Sequence, residues 1–335
     1  MGDRLMEKQS ILSVIAKHRE AGLIGFIIIL SIVFQLLNPK FLTIGNLANL
    51  ITNTTILIIL AVGMMLVLIT RGIDLSIGST LALSGMTSSL FVSAYPGLNP
   101  LLAILLGIMV GIICGIILGY LVSIIGILPI IASLGLMNVY RGLTFWSSGG
   151  GWVSAHQMPA SFKGIATSSF LGVNTLILIA IAIFLFFYFF VNYTITGRQI
   201  YAVGSNPESA EITGINSKKI LLLVYTIMGG LSGLAGVLWV SKFASAQGDT
   251  ASGYELTVIA ACILGGVSIA GGVGRITGVL LGAILLGILD NALPLIDVSP
   301  FWQMGIEGGI ILFAVLFNVI VNRAVQQNEL ARRVV

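Results

Sequence analysis

Charge is scarce in this chain. Only 16 Lys and Arg and 12 Asp and Glu occur among 335 residues, 8% in all. A water-soluble globule must show a polar exterior, and a chain that is 57% hydrophobic cannot supply one at this length. Histidine and cysteine are rarer still, at two each. Cys114 and Cys262 both lie inside apolar runs, which excludes a disulfide framework or thiolate cluster and leaves them as small core residues. His18 lies in the N-terminal segment and His156 in a polar loop, so no nucleophile–base set or metal site points to a membrane enzyme. No G-x-x-x-x-G-K-[ST] sequence occurs, and GGVGR at 271–275 lacks the following Lys-Ser/Thr, so nucleotide hydrolysis by a phosphate loop is excluded. The net charge of +4 comes from loop lysines and arginines and gives no nucleic-acid surface.

What the chain has in abundance is long apolar runs and 41 glycines. A spanning helix needs about 20 mostly apolar residues. The runs predict ten such helices, at 22–37, 47–69, 75–94, 101–125, 127–146, 171–192, 220–241, 256–270, 276–292 and 302–321. The fold class is therefore an all-α polytopic membrane protein, one transmembrane domain over 1–335. No small-residue cleavage pattern follows the first run, so it reads as a retained helix. With the N-terminus in the cytoplasm, ten spans return the C-terminus there. Arg4, Lys8, Lys17, Arg19, Arg71, Arg198, Lys218, Lys219, Arg275, Arg323, Arg332 and Arg333 then lie inside, against Lys40, Arg141, Lys163 and Lys242 outside, a strong positive-inside bias. Residues 1–21 form a cytoplasmic N-terminal segment, 197–219 a cytoplasmic loop and 323–335 a cytoplasmic tail. The sequence shows no internal repeat.

Four segments carry functional expectations. In 69–79, ITRGIDLSIGS, Arg71 and Asp74 are placed at the cytoplasmic surface; Asp74 either pairs with Arg71 or caps the third span, and both are gate candidates. In the outer loop 146–164, WSSGGGWVSAHQMPASFKG, Trp146 and Trp152 suit the headgroup level. With Gly149 and Gly150 they outline either an anchored turn or an external vestibule. The polar loop 197–219, GRQIYAVGSNPESAEITGINSKK, reads as a docking surface for a soluble partner. Within it Asn206 is an N-cap, Pro207 fits the first helical position, Glu208 and Glu211 suit the positive end of the dipole, and Gly214 ends the helix. The product is a short rigid rod along the cytoplasmic face. Finally, 262–291 holds Gly278, Gly282 and Gly287, which favour tight helix contact.

TRGIDLSIGS at 70–79, YRGL with SGGGW over 140–152, GRQIYAVGSNPESAEITGIN at 197–216 and GYELTVIAACILGGVSIAGGVGRITG at 253–278 occur in order. In these segments the chain resembles the inner-membrane permease subunits of bacterial ABC sugar importers, of the ribose/rhamnose/autoinducer-2 class. The YRGL and SGGGW pair leans toward the rhamnose and autoinducer-2 permeases. The resemblance covers about residues 40–325. It implies a non-catalytic transport subunit that moves a monosaccharide or similar solute into the cytoplasm by alternating access. It also implies a second permease subunit, a cytoplasmic ATPase that holds the ATP-Mg, an extracytoplasmic sugar-binding protein, surrounding lipid, and no cofactor on this chain. Ser205, Asn206, Pro207, Glu208, Ser209, Ala210, Glu211, Thr213 and Gly214 then correspond to the ATPase-coupling helix. The alternative class is an ion-gradient-driven secondary transporter. Such proteins place carboxylates or broken helices near the membrane midplane, whereas here Asp74, Asp249, Glu255, Asp290 and Asp297 read as lying at span ends and only Glu307 falls within a span, near its outer end.

Overall fold

The computed structural model describes residues 19–299 together with 301–306, 308–310, 312 and 316. Arg4, Lys8, Lys17, His18, Glu307, Arg323, Arg332, Arg333, the terminal segments and most of the expected span 302–321 lie outside the described residues. Among the described residues, seven helices are long and apolar enough to cross a membrane.

The first, α1 (Arg19–Leu37), shows much of its surface outward and rests chiefly on the last helix. It is pinned there at both ends. Thr277 Oγ1 donates to Glu20 Oε1 at 2.7 Å, and Asn38 Nδ2 donates to the Leu295 carbonyl at 2.5 Å. Next, α2 (Ile44–Ile69) is capped by Thr43, whose hydroxyl accepts from Asn46 N–H. It is buried without interruption from Thr54 to Ile69, as expected of a helix apolar on every side at the centre of a bundle.

After α3 (Ile77–Ala94), Asn99 caps α4 (Pro100–Tyr120) and Pro100 takes its first position. One π turn over Leu121–Ile125 extends α4, and Gly126 at φ 85° stops it. Pro129 opens α5 (Pro129–Ser147) three residues later, so a Gly and a Pro suffice to separate two helices that read almost continuously in sequence. The α5 helix spans 19 residues but is less apolar than the seven. A short α6 (Ala160–Thr167) and a two-residue hairpin, β1 (Ser169–Phe170) with β2 (Val173–Asn174), close this end of the bundle before α7 (Thr175–Tyr193).

Two further helices, α8 (Ile195–Ser205) and α9 (Pro207–Ile212), lie in the polar loop, and α10 (Ser217–Phe243) re-enters the bundle. The densest contact of the fold joins α10 to α4. A methyl group added at Gly111 would strike the Gly229 carbonyl, and one at Gly115 would come within 3.0 Å of Gly229 Cα. Where water does not drive packing, such four-residue spacing of small residues lets helices approach closely. Gly278 and Gly282 do the same between α11 (Tyr254–Leu264) and α12 (Ile276–Leu295), while Gly287 meets Thr54 of α2.

The expected span 256–270 requires correction. Its helix covers only Tyr254–Leu264, because Gly266, Gly271 and Gly272 all adopt positive φ and turn the chain back. The apolar run conceals a half-length helix of about 16 Å.

Candidate functional site: a polar loop tied to two chain breaks

The polar loop folds as two helices. Thr194 caps α8 by accepting from Gly197 N–H at 3.0 Å. Gly197, Ile200, Val203 and Gly204 form its buried face. Gly204 lies against the Ile69 carbonyl, an approach closed to any side chain. The linear reading of 197–219 missed α8. Its signal was present in the three- and four-residue spacing of those four small and apolar residues.

In α9, Asn206 Oδ1 accepts from Ser209 N–H at 3.0 Å, Pro207 takes the first position, and Gly214 follows at φ 85°. Thr213 forms the C-cap, with its hydroxyl donating to the Ala210 carbonyl at 2.8 Å. Ser205 is the exception among the expected rod residues, since it ends α8. Ala210 is buried beneath the rod, whereas Glu208, Ser209 and Glu211 face outward. Beside them Ile212 is 87% exposed, an aliphatic knob on an otherwise polar surface.

Arg71 holds this loop to the bundle. It adopts φ 63° just past the end of α2, and it donates from Nε to the Gly204 carbonyl at 2.7 Å and from Nη2 to the Ser205 carbonyl at 2.6 Å. A cation on the last carbonyls of a helix satisfies groups left without intrahelical partners and complements the dipole. The α11–α12 turn joins the same junction. Gly272 N–H donates to the Ile69 carbonyl at 2.8 Å, and Gly271 and Gly272 pack on Arg71 and Ser205. Tyr201 of α8 donates to the Gly274 carbonyl at 2.7 Å; burial raises its pKa, with Arg275 opposing, and keeps the hydroxyl a donor.

Of the two roles expected for Asp74, the ion pair with Arg71 is not formed. Asp74 Oδ1 accepts from Ser76 N–H at 2.8 Å and Ser76 Oγ at 2.6 Å, and so braces the start of α3. Nor does it lie at the cytoplasmic surface. Asp74 is 3% exposed and lies within electrostatic reach of Cys114, Tyr140 and Tyr225. Tyr225 stands about 12 Å along α10 and Tyr140 about 16 Å along α5, counted from the end that carries α9. Residues 70–76 thus run inward from that end, and α3 begins within the bundle.

A second break runs the opposite way. After α10, residues 244–253 turn back at Ala244 (φ 49°), pair Ala246 with Val153, and pass Ala251 (φ 55°) and Gly253 (φ 82°) into α11. Arg141 fastens this stretch, donating from Nη1 to the Gly248 carbonyl at 2.9 Å and the Thr250 carbonyl at 2.7 Å. The breaks meet where Gly78, in the first turn of α3, packs on the Ala251 carbonyl and the Glu255 carboxylate. The start of the 18-residue α3 and that of the half-length α11 therefore face each other within the bundle, and transporters build polar sites in a membrane where helix starts meet in this way.

Trp146 and Trp152, 80% and 64% exposed, lie at the opposite end of the bundle with Gly149 and Gly150, whose positive φ closes the turn after α5. The structure does not bring them to Arg71 and Asp74. A cavity of about 450 Å³ between α1, α2, α7 and α12 is lined by Phe41, Leu50, Ile58, Ala180 and other apolar groups. It suits hydrocarbon and not a polar cargo.

Comparison with known proteins agrees with this architecture. The permease component of the branched-chain amino acid transport system family matches residues 46–315. The ribose import permease RbsC of Escherichia coli K12 is 39% identical over 299 residues, 89% of this chain and 92% of that one. The L-arabinose permease AraH of Azospirillum brasilense is 36% identical, covering 89% and 87%. The autoinducer-2 permease LsrC of Salmonella typhi is 30% identical, covering 95% and 90%. By identity the chain is nearer to this ribose permease than to this autoinducer-2 permease, against the leaning drawn from YRGL and SGGGW. No solved structure matches. The chain belongs to the permease family of ABC sugar importers and is a multi-pass protein of the cytoplasmic membrane.

Proposed function

We propose that this chain is the translocating subunit of an ATP-driven importer for a neutral monosaccharide of the ribose, rhamnose or autoinducer-2 class. The family implies an ATPase and a substrate-binding protein as partners. In this reading a second permease completes the membrane pathway, and ATP-Mg is held by the ATPase. Ten spans place both termini in the cytoplasm, and Asn206 to Gly214 dock on the ATPase. Trp146, Gly149, Gly150 and Trp152 border the opposite mouth, where the binding protein delivers cargo. The chain contributes a path and a hinge, not bond chemistry.

The observation that carries this reading is the Arg71 junction. The capped rod α9 follows α8 directly, and the end of α8 is bonded to the residue that opens the first break. A push on α9 therefore reaches α3 through hydrogen bonds and covalent chain, and reaches α11 through Gly271 and Gly272. An ATPase drives the change only insofar as it binds the two states with different affinity. Co-expression with the ATPase and binding protein, followed by uptake of labelled ribose with and without ATP depletion, tests the reading.

One observation favours the alternative. A buried carboxyl at a broken helix, as found at Asp74, is a feature of gradient-driven carriers. Purified permease in liposomes separates the two: uptake driven by an imposed ion gradient without an ATPase would support the alternative.

A further inference from the structure

Beside the first break lies one buried polar group without a partner, and next to it a carboxylate that uses only one of its oxygens. The Tyr225 hydroxyl is fully buried, makes no hydrogen bond and points at Gly72. Asp74 receives both of its hydrogen bonds on Oδ1, and Oδ2 accepts none from the described residues. Buried polar groups in folded proteins are almost always paired, because an unpaired one forfeits its hydration with no return. The Tyr225 phenol reaches from α10 to the turn at Gly72, and Asp74 with its second oxygen follows two residues on. A hydroxyl group has the matching complement, since it accepts from a phenol and donates to a carboxyl oxygen at once.

The surroundings fit a passage point. The turn lies well inside a bundle whose hydrocarbon belt is about 30 Å thick. Gly78 contacts Ala251 and Glu255 of the opposing break, and α11 starts at Gly253 with no side-chain cap on its first amides. The first break is tied to the coupling loop through Arg71, and the far end of α11, which the second break leads into, through Gly272. Movement of that loop would part the contact at Gly78 and uncover the pair.

We propose that Tyr225 and Asp74, at the turn that leads into α3, contact one hydroxyl of a neutral hydroxylated solute as it crosses the membrane. The assignment rests on the importer reading above. Two carboxyl groups, Asp74 in the turn before α3 and Glu255 in the first turn of α11, select against sugar phosphates and sugar acids.

Tyr225→Phe provides the test, because it deletes an oxygen that bonds nothing in the structure. A merely structural role predicts unchanged transport and an unchanged or higher Tm. The assignment predicts that Tm is kept while uptake of radiolabelled D-ribose and L-arabinose by the complete importer falls about tenfold, the consequence of one lost hydrogen bond in the rate. Asp74→Asn, isosteric but poorer as an acceptor, should lower uptake in the same assay with normal amounts in the membrane. Wild-type uptake in Tyr225→Phe overturns the assignment alone. Absence of uptake of D-ribose, L-arabinose, L-rhamnose and autoinducer-2 alike by the unaltered system overturns the importer reading and the assignment together.

Discussion

Arg71 grips the end of α8 through the Gly204 and Ser205 carbonyls, at 2.7 and 2.6 Å, and the next residue of its own chain turns into the interior of the bundle. One side chain thus connects the polar loop to the turn that leads into α3. Arg71→Ala removes two charge-assisted bonds worth about 1.5–3 kcal/mol each. Uptake should fall more than tenfold while ATP hydrolysis by the assembled complex persists. Parallel measurement of both rates checks this; equal loss of both would indicate failed assembly instead.

The rod itself depends on its two ends. Asn206→Ala removes the cap at a cost of about 1 kcal/mol. Gly214→Pro cannot adopt the observed φ of 85°. The double variant should reach the membrane in normal amounts and lose uptake, as measured by immunoblot and transport in the same cells.

Ile212 is 87% exposed on α9 and is left uncovered by the described residues. If the rod enters a cleft on the ATPase, Ile212→Asp places a charge where an aliphatic group should be buried, a penalty of several kcal/mol. Co-purification of the ATPase with the permease should drop at least tenfold. Full retention would place the docking surface elsewhere.

The α4–α10 contact leaves no room for a side chain at Gly111. Gly111→Leu should force the helices apart and cost about 1–3 kcal/mol or more, since overpacking of a dense interface is not relieved. Membrane-inserted protein should fall in amount and melt earlier. Gly135→Ala on α5, where a methyl meets open space, should leave both unchanged.

Seven membrane-length helices among the described residues, the Asn206 cap and the Gly214 stop were legible in the sequence because each depends on local chemistry: a long apolar run, a side-chain oxygen, a residue tolerant of positive φ. The half-length α11 was not, since CILGGVSIAGGVG is as apolar as a helix and only its glycines mark the turn. Asp74 was misplaced for a related reason. TRGID reads as a polar loop at the surface, yet its burial is imposed by α4, α5 and α10, elements distant in sequence. The opposed breaks at 70–76 and 244–253 share little sequence, so their relationship emerges only in three dimensions. Arg71 was correctly singled out, but its partners lie 133 and 134 residues away and no local pattern names them.

The sidedness of α9 tests the account most directly. Cys114 and Cys262 are buried, so a cysteine introduced by Ser209→Cys would be the principal site open to a membrane-impermeant maleimide. The account predicts no labelling in intact cells and rapid labelling in inside-out vesicles, with protection when the ATPase is bound. Rapid labelling from outside intact cells would contradict it.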